Sequence, residues 1–123
     1  MVLATWCVLL GGLLPVAVVF IAKSDPRLDV RHPRDVHVMQ TGLRKRACGA
    51  HLNGLEAFPL FAAAVITATQ RGVPQSRLAW TALAWLCVRV CYTGAYLGDW
   101  AGIRPVLWAV SVLISIGIFI LPT

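Results

Sequence analysis

Arg46, Asn53 and Glu56 share one face of a helix, at offsets of seven and three residues, and Arg89, Tyr92 and Tyr96 form a second such face farther along the chain. Both sets belong to long apolar runs. A charge at membrane depth is costly, so it faces a bundle interior or a wet cavity and needs a partner. Arginine holds carboxylates through paired hydrogen bonds, and a carboxylate holds an amino group. Asparagine offers both a donor and an acceptor. Together these side chains suit a small anionic zwitterion. Were that ligand a thiol, a neighbouring guanidinium would raise its thiolate fraction and make it a nucleophile. Apolar walls between helices would receive a lipophilic second substrate.

The elements that must position these groups are transmembrane helices. The chain has 123 residues, 59% hydrophobic and only 13% charged, where soluble domains carry roughly 25% charged residues. Four apolar stretches reach spanning length, and the expected spans run over about residues 2–22, 43–69, 78–97 and 105–122. They leave room for short connections only, so one membrane domain is expected. The first stretch lacks the basic segment that precedes the apolar core of a secretion signal and reads as a span. Gly11, Gly12 and Pro15 within it predict a close helix contact with a local kink. Pro59 should bend the second span just past Glu56.

Depth decides which polar groups can meet. At 1.5 Å per residue, Glu56 lies ~15 Å along its helix from Arg46, and Arg89 lies ~12 Å from Leu97 at the corresponding end of its own span. Asn53 and Tyr92 are ~10 and ~8 Å from the same ends. These residues share a layer. Glu56, the only carboxylate within the four spans, is the expected partner of Arg89. Arg46 and Arg104 form a basic rim to the resulting cleft. A pair that merely fixes helix register is the plain alternative.

Charge placement sets the topology. Seven of the eleven basic residues lie in the stretch from Lys23 to Arg46. Putting that loop, residues 23–42, in the cytoplasm together with Arg104 follows the positive-inside rule and leaves both termini outside. The formal charge of +6 thus belongs to a membrane boundary, with an attraction to anionic headgroups, and nucleic acid is not an expected partner. Within the loop, Asp25, Asp29 and Asp35 read as a partly self-paired charge cluster, and Asp25-Pro26 and His32-Pro33 as turns. Cys48, His51, Cys87 and Cys91 lack the short paired spacing of a zinc site, so no metal is expected. His51 points away from Asn53 by roughly 160° and reads as a helix-contact residue.

Arg46, the run Asn53-Gly54-Leu55-Glu56, Pro59 and Phe61, then Arg89, Tyr92, Tyr96 and Arg104, resemble the MAPEG family, the membrane-associated proteins in eicosanoid and glutathione metabolism. His32–Asp35 and Glu56–Val65 look like its bacterial branch. The resemblance covers nearly the whole chain. It implies an all-α integral membrane subunit, a bundle of four transmembrane helices, assembling as a homotrimer in a bacterial inner membrane. It implies glutathione as co-substrate, held by Arg46, Asn53, Glu56, Arg89, Tyr92 and Tyr96, with Arg104 stabilising the thiolate in a transferase or peroxidase acting on lipophilic electrophiles. The sequence departs from glutathione-binding members at Gly49 and Leu52, where they carry further basic residues, and at Tyr92, where some carry histidine. The departures keep a second reading open: a non-catalytic scaffold, lipid-binding protein or accessory subunit of a larger membrane complex. A small proton-coupled exporter also fits four spans and one membrane carboxylate, but an arginine beside Glu56 would hold it ionised.

Overall fold

A computed structural model describes residues 2–123. It contains five helices, α1 (Leu3–Lys23), α2 (Pro33–Met39), α3 (Gly42–Gln70), α4 (Gln75–Leu97) and α5 (Arg104–Phe119). The four long ones pack side by side as a bundle. Helices α1, α3 and α4 are long and apolar enough to cross a membrane. Helix α5 has 16 residues, about 24 Å at 1.5 Å each. It stops at Phe119, short of residue 122, where the apolar run suggested its end. The tail beyond it is held by α3 and α4: Arg71 donates to the carbonyls of Phe119 and Leu121, and Arg77 to that of Pro122.

The outside of the bundle is apolar. Leu10, Leu13 and Phe20 on α1 and Leu113 and Ile116 on α5 are all exposed, as a lipid-facing surface requires. Inside, small residues bring the backbones together, as they do where lipid removes the hydrophobic drive between helices. Ala4, Ala22, Ala47, Ala64, Ala68 and Ala82 are buried, and Phe61 stacks flat on Trp85 with ring centroids 3.8 Å apart. The close contact expected at Gly11 and Gly12 is present. A Cβ on Gly11 would come within 2.8 Å of the Trp85 ring, and one on Gly12 within 3.0 Å of Phe58. At Pro15, the His51 Nδ1–H donates to the Pro15 carbonyl at 2.7 Å, which makes His51 a helix-contact residue.

Gly54 is the tightest point between α1 and α3. Its missing Cβ would stand 2.8 Å from the Cβ of Pro15, and a proline ring cannot swing aside. Helix propensity alone would favour alanine there by up to about 1 kcal/mol, but overpacking costs about 1–3 kcal/mol. Gly54→Ala is therefore expected to lower the thermal unfolding temperature of the detergent-solubilised protein, and Gly94→Ala, where a Cβ meets nothing within 4 Å, is expected not to.

The first loop is more ordered than turns alone suggest. Pro33 starts α2, and its missing N–H costs nothing at that position. Gln40, 1% exposed, then ties the loop to α1. Its amide donates to the Ala22 carbonyl at 2.7 Å and to Asp25 at 3.3 Å, and its oxygen accepts from His37. The self-pairing of the charge cluster is seen at Asp25, which takes two side-chain hydrogen bonds from Arg27, whereas Asp29 accepts only the backbone N–H of Arg31.

The side-chain hydrogen bonds from Arg27, then its backbone N–H, hold the Asp25 carboxyl well below the usual carboxylate range. A depressed carboxyl contributes stability above its unfolded value, about 3.9, and loses it as pH falls through the folded one. Protection from hydrogen exchange across residues 24–41, taken relative to the intrinsic rate at each pH, is accordingly expected to be flat from neutral pH down to about 4 and to fall only in stronger acid. Asp25→Asn should show raised exchange already at neutral pH.

Candidate functional site

The second polar face, on α4, is a continuous row. The Arg89 guanidinium lies over the Tyr92 ring, 4.3 Å from its centroid, and Arg104, in the first turn of α5, lies over the Tyr96 ring at the same distance. The two tyrosine rings meet edge to face, centroids 5.9 Å apart. Two rings thus lie between two cations, from the middle of α4 to the start of α5. Cation–ring contacts of this kind strengthen as water is excluded. The spacing of three, four and eight residues from Arg89 to Arg104 is what a helix and a tight turn need to build such a row.

On α3 the face divides. Asn53 Oδ1 accepts a 2.7 Å hydrogen bond from Arg89 Nη2, so the depth argument places those two correctly. Arg46 turns back across the helix ends, donating through Nε to the Leu97 carbonyl at 3.0 Å. That carbonyl is among the last of α4, which has no following turn to receive it.

Glu56 departs from expectation. It forms no ion pair with Arg89; the only ion pair among the described residues is Arg27–Asp25. The reason is angular. A three-residue step rotates a helix position by 300°, so Asn53 and Glu56 differ by about 60° around α3. With Asn53 turned to α4, Glu56 turns toward α5. There it is exposed and lines a cavity of about 330 Å³ with Leu60, Trp108, Ser111 and Ser115. Both serine hydroxyls donate to carbonyls within α5 and leave the carboxylate unengaged.

Arg89 is left incompletely satisfied. It is 2% exposed, and its Nη1 has no hydrogen-bond partner. A buried guanidinium nitrogen without an acceptor is expensive. Such groups in native proteins call for an explanation: a water, an ion or ligand, a catalytic role or stored strain. The residues named from sequence therefore fall into three sets: Asn53, Arg89, Tyr92, Tyr96 and Arg104 in one row, Arg46 at its end, and Glu56 apart.

Gly49 has a steric reason. A Cβ at this position would run into the Tyr96 hydroxyl, so no basic side chain fits there while Tyr96 keeps its contact with Arg104. No signal local to α3 reveals this, because the obstacle comes from α4. Cys87 and Cys91 are exposed on the outer face of α4, and among the described residues no three His, Cys, Asp or Glu side chains converge as a metal site would need.

Among protein-family models, that of the MAPEG family matches residues 3–123. Comparisons with curated proteins and with solved structures found no match. The match takes in both polar faces and all five helices, and an all-helical chain with a lipid-facing exterior fits it. This integral membrane protein belongs to the MAPEG family, which includes glutathione transferases and peroxidases.

Proposed function

We propose that the protein is a glutathione-dependent transferase or peroxidase acting on lipophilic electrophiles, working as a homotrimer with its cleft on the cytoplasmic side and both termini outside. The observation that carries this reading is the unspent hydrogen-bonding capacity of the polar layer. Arg89 Nη1 is buried without an acceptor, and Glu56 stands at the same depth without a cation. A zwitterionic peptide supplies what each lacks: a carboxylate for the guanidinium and an ammonium for the carboxylate. The separation of Glu56 from the Arg89 row also supports a ligand lying between subunits, where a carboxylate on the outer face of one copy is covered by the next.

In this reading Arg89 and Arg46 bind carboxylates, Asn53 orients Arg89 and Glu56 binds the amino group. Tyr92 and Tyr96 form the wall, and Arg104 holds the thiol in its ionised form. The thiolate then attacks the electrophilic carbon and expels its leaving group, or attacks a peroxide oxygen, breaking the O–O bond to release the alcohol and a glutathione sulfenic acid that a second glutathione converts to disulfide and water. The apolar helix faces receive the lipophilic partner.

The second reading, a lipid-binding or accessory subunit without catalysis, draws on Gly49 and Leu52, which remove cations from the ligand face. Each missing charged hydrogen bond weakens carboxylate binding by about 1.5–3 kcal/mol.

Calorimetry with glutathione on the detergent-purified protein, beside Arg89→Leu, separates the two. Binding in the parent and its loss in the variant are expected. No binding by the parent at millimolar glutathione would sink the enzyme reading, and copurifying lipid or partner protein would then favour the second.

A further inference from the structure

The Glu56 cavity has a chemistry of its own. Among the described residues, no lysine, arginine or histidine lines it. Apart from the indole N–H groups of Trp85 and Trp108, its polar groups are acceptors. Ser111 and Ser115 commit their hydroxyl protons to the carbonyls of Trp108 and Ser111, so their oxygens are left to accept. An anion finds no counter-charge there. A cation meets a carboxylate and two ring systems whose faces attract positive charge.

The two indoles differ in freedom. Trp85 is 2% exposed. Its ring lies flat on Phe61 and its edge reaches the Gly11 position of α1, so it is a wall set in advance. Trp108, in the second turn of α5, is half-exposed and free to adjust to what enters. Leu60 and Val112 add apolar surface. A metal ion would need six or so oxygen ligands at about 2.0–2.6 Å, and the indoles offer none. The volume of about 330 Å³ stands at the lower end of the range for small-molecule sites, about 300–1,000 Å³.

We propose that this cavity binds an organic ammonium ion with an aromatic or branched apolar body, its charge beside Glu56 and its body against the two indoles. A bare ammonium is strongly hydrated and loses that water at membrane depth. Alkyl groups on the nitrogen reduce the loss, and the rings replace the water that is shed. The organic cation and the amino group of a zwitterionic peptide claim the same carboxylate, so the cation inhibits by competition. The inhibition rests on the role of Glu56 proposed above; the binding does not.

Calorimetry on the detergent-purified full chain tests this with three solutes of similar size: benzyltrimethylammonium, neutral N,N-dimethylbenzamide and the anion benzenesulfonate. One benzyltrimethylammonium per subunit is expected, with the amide bound about tenfold more weakly or less and the sulfonate not at all. Glu56→Gln, an exposed position and so tolerant of change, should weaken binding of the cation about tenfold, and Trp108→Leu about threefold. Equal affinity for cation and amide, no binding by the parent, or affinity unchanged in both variants would overturn the proposal. Repeating the titration with glutathione present separates the two ideas. A weaker apparent affinity for the cation is expected. Cation binding without any glutathione binding would sink the enzyme reading and leave the cation site standing. Independent binding of both would overturn the inhibition.

Discussion

Asn53→Leu is expected to destabilise the solubilised protein by about 3 kcal/mol, far more than a half-exposed amide would suggest. Asn53 provides the one side-chain acceptor of Arg89. Without it a guanidinium that is 2% exposed keeps only the Tyr92 ring, with both terminal nitrogens unpaired. The companion Arg89→Met replaces the charge with an apolar chain of similar length, and such replacements of buried ions are often neutral or stabilising. The double variant Asn53→Leu/Arg89→Met should recover most of the loss. Chemical denaturation of all four proteins gives the coupling energy, expected at about 2 kcal/mol or more. A coupling near zero would mean that Arg89 finds another acceptor and that its unpaired Nη1 is not a constraint on the site.

The same pair shows how far the sequence could be read. Helical offsets placed Asn53 and Arg89 on facing sides at one depth, because both quantities follow from 3.6 residues per turn and a fixed rise. They could not choose between Asn53 and Glu56 as the partner of Arg89. Those two differ by about 60° around α3, and only the packing of α4 and α5 decides which of them faces the guanidinium. The inference from charge alone, that a buried arginine must find the only carboxylate, was outweighed by that geometry. The argument against a proton-coupled exporter that rests on an Arg89–Glu56 pair falls with the pair, and the family match over residues 3–123 takes its place.

Other elements were legible to different degrees for physical reasons. The apolar runs fall on α1, α3 and α4, whose ends lie within three residues of the runs, because hydrogen-bonded helices are the only open-ended elements that satisfy the backbone in lipid. Helix α5 ends at Phe119, ahead of Pro122, which disfavours helix at the residue before it, and Arg71 and Arg77 take the carbonyls of its last residue and of the tail, contacts made across about 50 residues of chain. Helix α2 has seven residues, and two prolines near it look like turn signals as readily as a helix start. The buried role of Gln40 and the clash behind Gly49 are set wholly by other elements. Gly11 and Gly12 were readable because small residues in a span have few other uses.

Arg104→Ala is expected to abolish most glutathione conjugation while leaving assembly and stability nearly unchanged, if the proposed enzyme reading holds. The stability side follows from where Arg104 sits. Its contact with Tyr96 contributes about 0.5–1 kcal/mol. Yet it lies at the N-terminus of α5, where the helix dipole disfavours a cation by about 0.3–1 kcal/mol. The two effects nearly cancel, so the folded subunit gains little from this charge. An anion beside it changes the sign of the argument, because guanidinium and helix terminus then act together on the same negative group. For a bound thiol this means a lower pKa and more thiolate near neutral pH. Removing one preorganised donor of this kind lowers turnover about 10²–10³-fold. Since the loss is of ionisation, the variant's rate should climb again as pH rises toward the ordinary thiol value near 8.5, and Arg104→Lys, which keeps the charge, should retain an intermediate rate at neutral pH. Turnover with a chlorodinitrobenzene electrophile, measured from about pH 6.5 to 9.5 beside a thermal unfolding curve, reads all of these. A variant that unfolds with its activity, or a rate loss that is the same at every pH, would leave Arg104 with a packing role and move the thiolate's partner elsewhere.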